Sequence, residues 1–86
     1  MNTVFLLLAE FNTATIALSE VSERYFGMKP STAENKAGLG QFPVPTFRAS
    51  ESQKAPRMIH IQDLADHLDS QRKKGIETFR SMNFHK

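Results

Sequence analysis

Ser31, Thr32 and Asn35, flanked by Lys29 and Lys36, are the residues of this chain whose types and spacing best suit recognition chemistry. On a helix over 29–37 the three short polar side chains share one face, while Ala33 and Ala37, with Pro30 beside them, fall on the other. Asparagine can pair bidentately with adenine, and serine and threonine hydroxyls reach base edges. Lysines at the rim suit phosphates, which position a protein without reading sequence. Small alanines on the inward face let such a helix approach its neighbour closely. An ordinary solvated helix would carry similar polar residues, so the elements around it decide between the two readings.

A second polar set, Arg48, Ser52, Gln53, Lys54 and Arg57, lies on or beside two short apolar runs. These residues suit backbone phosphates or the neighbouring minor groove, and equally a polar hairpin that keeps a small sheet soluble. The formal net charge is only +2, with 11 basic and 9 acidic residues, too little to argue for nucleic acid by itself. Clustering matters more. Lys29, Lys36, Arg48, Lys54 and Arg57 crowd the middle of the chain with only Glu34 and Glu51 among them, and Arg72-Lys73-Lys74 forms a second basic knot.

Other chemistries find little support. His60, His67 and His85 stand apart from one another, the chain has no cysteine, and a metal site needs three or four convergent ligands. Glu20, Glu23 and Glu34 fall on expected helix surfaces, where solvated carboxylates are normal. No serine shows a recognisable His and Asp arrangement. Gly38-Leu39-Gly40 lacks the third glycine and the preceding strand of a phosphate-binding loop. The expectation is a non-enzymatic protein without metal, cofactor or small-molecule substrate.

The elements that must position these residues follow from spacing and punctuation. Residues 3–11 fit helix or strand; leucine, alanine and glutamate favour helix, with Asn2 or Thr3 as its cap. This run has no basic stretch before it and is shorter than the ~20 apolar residues of a bilayer span. Asn12-Thr13-Ala14-Thr15 reads as a polar connector. Leu18, Val21, Ser22 and Tyr25 form the stripe of a half-buried helix, ended by Gly27. Pro30 opens the next helix, where its missing N–H costs nothing, and Gly38 and Gly40 close it.

Gln41-Phe42-Pro43-Val44-Pro45 must be extended, because each proline restricts its predecessor. Residues 46–49 and 57–61 read as two strands joined by the polar loop 50–56, the outline of a wing. Ile61, Leu64, Ala65 and Leu68 predict a third amphipathic helix, clear to about residue 70 and weakened by Gly75. Helix, turn, helix, wing, helix is the winged helix-turn-helix order. The expected fold is mainly α with a small β-hairpin, one domain over 1–86. An apolar N-terminal element (about 1–14) and a C-terminal extension (about 71–86) flank it.

The runs YFGMKP, PVPTFR, SQKAP and HIQDLADHLD, within roughly residues 2–70, make the chain resemble the pyocin activator protein family of bacteria and their prophages. More distantly, the Phe-Pro-x-Pro segment before a wing is similar to that of phage excisionases. The family resemblance implies transcriptional activation of bacteriocin genes by binding upstream double-stranded DNA in the cytoplasm, with a surface for RNA polymerase in Arg72–Lys74 or the C-terminal tail. Val4, Phe5, Leu7, Leu8 and Phe11 are expected to divide between the third helix and a second copy of the chain. A homodimer would supply two recognition helices for a repeated or palindromic site. The rival readings are an excisionase-like architectural DNA-binding protein and a small protein-interaction module.

Overall fold

The computed structural model describes residues 2–83; Met1 and residues 84–86, including His85 and the outer ends of both flanking segments, lie outside the described residues. Helix α1 spans Thr3–Phe11. It starts where the Asn2 side-chain oxygen accepts a hydrogen bond from the Val4 N–H at 3.0 Å. It stops where Asn12 turns left-handed (φ 56°) and donates its N–H to the Leu8 carbonyl. The helix reading of this apolar run therefore holds. Leu7 is buried and Val4, Leu8 and Phe11 pack on the core, leaving Phe5 and Leu6 outward.

The connector expectation for residues 12–15 needs correction at its end. Thr15–Ala17 is a strand, β1, paired antiparallel with β3 (Arg57–His60) in the register Thr15↔His60, Ile16↔Ile59 and Ala17↔Met58. Three residues are too few to show an alternating pattern. The strand exists because β3 offers a hydrogen-bonding edge and because Ile16 and Ile59 bury each other.

Helix α2, Leu18–Phe26, buries Leu18, Val21 and Ser22, as its stripe requires. Gly27 follows at φ 65°, a left-handed turn that glycine adopts without steric cost. Helix α3, Pro30–Gly38, has its proline in the first turn and packs against α2 through Ala33, which is completely buried. Pro30, expected on the inward face, is exposed instead, because the first residue of α3 precedes its contact with α2. The segment after α3 is anchored by buried Val44 and by Phe42, whose ring lies 4.7 Å from that of Phe26.

Strand β2, Phe47–Arg48, pairs with β3 through Phe47↔Met58 and Arg48↔Arg57. The sheet is thus three-stranded and antiparallel, in the order β1-β3-β2, where two strands were expected. Ile61, expected to end a strand, instead begins α4 (Ile61–Asn83). His60 starts this helix: its Nδ1 accepts the Gln62 N–H at 3.0 Å. The core gathers Leu7, Ile16, Leu18, Val21, Ala33, Val44, Ile59, Ile61, Leu64 and Ala65. The protein is mainly helical, with one small antiparallel sheet.

Two side-chain clusters lock the helices together. Arg24 is paired with Glu10, which also accepts the Tyr25 hydroxyl at 3.2 Å, and the Phe11 and Tyr25 rings meet edge to face. Burial pushes the Tyr25 phenol above its ordinary range, with the Glu10 carboxylate adding to the effect. On the other side the His67 imidazole lies 4.9 Å from the Phe26 ring. Burial there lowers its proton affinity, and the positive charge of Lys74 lowers it further. Among the described residues no helix is long and apolar enough to cross a membrane.

Candidate nucleic-acid interface

Packing of Ala33 onto α2 orients α3, and the side chains opposite Ala33 follow from helical spacing. Ser31, Thr32, Asn35 and Lys36 are all exposed, as is Lys29 just before the helix. Asn35 lies on the side away from the core, with Ser31 and Thr32 to either side. The polar surface expected from the sequence is therefore open to solvent along α3.

Glu34 occupies one flank of this surface, and its environment differs from the solvated carboxylate expected. Its Oε1 accepts from Arg48 Nη2 at 2.9 Å and from Arg57 Nε at 3.0 Å. The two arginines sit opposite each other on β2 and β3, so one carboxylate on α3 clamps both strands of the hairpin. Arg57 also donates through Nη1 to the Thr46 hydroxyl at 3.1 Å. Arg48 donates through Nη1 to the Gln53 and Ala55 carbonyls at 2.6 and 2.8 Å. That guanidinium fills the inside of the loop and fixes its path.

The loop is further ordered by its serines. The Ser50 hydroxyl accepts the Ser52 N–H at 3.3 Å, the Ser52 hydroxyl accepts the Lys54 N–H at 3.2 Å, and the Ser52 carbonyl accepts the Ala55 N–H at 3.1 Å. Such side-chain to backbone bonds give a loop a defined turn without a ladder. Ser52, Gln53 and Lys54 remain exposed at the loop tip.

The five hairpin positions thus divide. Arg48 and Arg57 are only 27% and 17% exposed in their side chains and have protein acceptors, whereas Lys54 and Gln53 project into water. With Glu34 counted, the two arginines leave one surplus positive charge beside α3. Lys29 and Lys36 add two more, just before α3 and on it, and Lys54 carries another at the loop tip. Glu34 is the residue that reading the chain missed. Its one signal was being an acid inside a basic cluster.

The N-terminal apolar set also divides. Leu7 is fully committed to the core, Val4, Leu8 and Phe11 cover it, and Phe5 faces water with Leu6. The Phe5 and Leu6 side chains are the apolar groups α1 leaves open.

No curated protein and no solved structure matches this chain. The model of the family described as pyocin activator protein PrtN matches residues 3–75, a span that takes in α1, the sheet, α2, α3 and most of α4. A match over that much of the chain carries the assignment: this protein belongs to the pyocin activator protein family.

Proposed function

We propose that the chain is a winged helix-turn-helix activator of pyocin-type or prophage genes that binds double-stranded DNA upstream of them. In this reading α2, the turn at Gly27 and α3 form the helix-turn-helix, and β2 with β3 forms the wing. Ser31, Thr32 and Asn35 read base edges in the major groove, while Lys29, Lys36 and Lys54 engage phosphates. Arg48 and Arg57 hold the wing against α3 and supply a surplus charge to the same surface. The protein acts in the cytoplasm as a homodimer, without catalysis or cofactor, and presents Arg72–Lys74 or the C-terminal tail to RNA polymerase. The observation that carries the reading is the exposed polar face of α3 on a buried Ala33, in a member of this family.

Footprinting on DNA upstream of the neighbouring genes, paired with a transcription assay, is the direct test. Asn35→Ala should weaken the specific site by roughly 1–3 kcal/mol while leaving non-specific binding intact. Lys54→Ala should instead reduce the slope of log affinity against log salt by about one. Protection that survives simultaneous alanine substitution of Ser31, Thr32 and Asn35 would remove α3 from the interface. Cooperative coating of adjacent sites without activation would favour an architectural role.

A further inference from the structure

We propose that Leu39 reads the methyl group of a thymine in the major groove, as a specificity-determining residue at the end of α3. The proposal deepens the base-reading role given to α3 above and rests on it. Leu39 caps α3, and its N–H donates to the Asn35 and Lys36 carbonyls at 3.2 Å, so the helical path carries through it. It stands four residues after Asn35 and seven after Thr32. Helical spacing therefore puts its side chain in line with theirs, away from the inward Ala33 and Ala37.

Exposure alone would mean little, because single apolar residues on a surface are ordinary. What distinguishes Leu39 is its place: it is 71% exposed in the row of Thr32 and Asn35, with the Lys36 charge beside it. Phe5 and Leu6 are also open, but they lie on α1. Gly38 precedes Leu39 and Gly40 follows it. A Cβ at Gly40 would meet nothing within 4 Å among the described residues, and one at Gly38 only the tip of Arg57 at 4.0 Å. The leucine is thus a knob between two residues without side chains. Gly40 then turns left-handed at φ 71°, and the Gly40 and Gln41 N–H groups bond back to the Ala37 and Lys36 carbonyls at 3.1 and 2.8 Å. This fastening holds the knob in place and leaves room on both sides for a DNA strand to come close.

The chemistry then selects the base. Leucine carries no side-chain donor or acceptor, and on the major-groove edges of the four bases the one apolar group is the C5 methyl of thymine. Against guanine, adenine or cytosine the same side chain would cover a polar atom without bonding it. Leu39 lies about 6 Å along the helix axis from Asn35, and successive base pairs are about 3.4 Å apart. The thymine it contacts therefore falls within about two steps of the adenine taken by Asn35.

Replacing each thymine of the footprinted site in turn with deoxyuridine, which removes the C5 methyl alone, tests this, with affinity read by fluorescence anisotropy. The natural chain should lose about fourfold at one thymine of the recognised sequence, the ratio expected for a buried methyl-sized group. Leu39→Ala should bind the natural site at least that much more weakly and show no further loss at the same deoxyuridine, as coupled partners do. Its melting temperature and salt slope should match those of the natural chain. Indifference of the natural chain to every deoxyuridine, or a penalty that persists in full in Leu39→Ala, would overturn the assignment. So would a lower melting temperature in Leu39→Ala, which would make the side chain a packing residue. Specific binding that depends on Asn35 and not on Leu39 would sink this proposal and leave the major-groove reading standing. Absence of specific DNA binding would sink both.

Discussion

Glu34 shows how one side chain can join two elements that the chain presents separately. One oxygen of the carboxylate on α3 accepts from both Arg48 and Arg57 on neighbouring strands, and charge-assisted bonds of this kind are stronger than neutral ones. The acid is 42% exposed, so solvent screens part of the interaction. Glu34→Ala should cost about 1–2 kcal/mol, a fall of roughly 5–10 °C in melting temperature. Glu34→Gln, which keeps one acceptor oxygen, should recover part of that loss. Hydrogen exchange should quicken in β2 and the loop that follows, leaving α1 unaffected. Unchanged melting in Glu34→Ala would mean that the clamp contributes nothing to the fold.

The α2–α3 pair depends on small side chains at its contact. Ala33 is completely buried against α2, and Ser22 on α2 is buried with its hydroxyl unpartnered among the described residues. A buried hydroxyl without an acceptor is a cost, so Ser22→Ala should be neutral or stabilising by up to ~1 kcal/mol. Ala33→Leu should destabilise by about 1–3 kcal/mol, because the helices have no room to separate without dragging the hairpin along through Glu34. Chemical denaturation of the two variants checks both signs. Element identity was largely legible: the cap at Asn2, the stop at Gly27, Pro30 in the first turn of α3 and the stripes of α2 and α4 locate those helices, although α4 runs on to Asn83, past the stripe that fades near residue 70. Strand β1 was not, since its three residues become a strand only when β3 lies alongside.

Across the whole molecule, α4 is the spine. Its first half closes the core, carries His67 against Phe26, and meets α1 where the Thr3 hydroxyl donates to Asp69 at 2.6 Å. His67 makes this junction sensitive to acid. Its folded-state proton affinity is lowered, first by burial and then by Lys74. The unfolded chain therefore takes up the proton first. The histidine contribution is complete above about pH 6.5 and is lost as pH falls from there through the lowered folded value. His67→Phe should flatten the stability profile over that window, as read by denaturation at several pH values. An equally steep profile in the variant would assign the acid sensitivity to other groups.

The chain by itself determined the starts and stops of α2 and α3 and offered the cap of α1, because capping residues and apolar stripes act over four or five neighbours. It also determined which face of α3 is polar, since 3.6-residue periodicity allows little else once Ala33 and Ala37 point inward. Tertiary structure alone decided that Arg48 and Arg57 brace Glu34, that Leu7 belongs to the core while Phe5 does not, and that α4 continues past Gly75 as an exposed rod. Those outcomes depend on which distant segments are brought side by side. Burial and ion pairing are properties of that arrangement, and local spacing does not encode it.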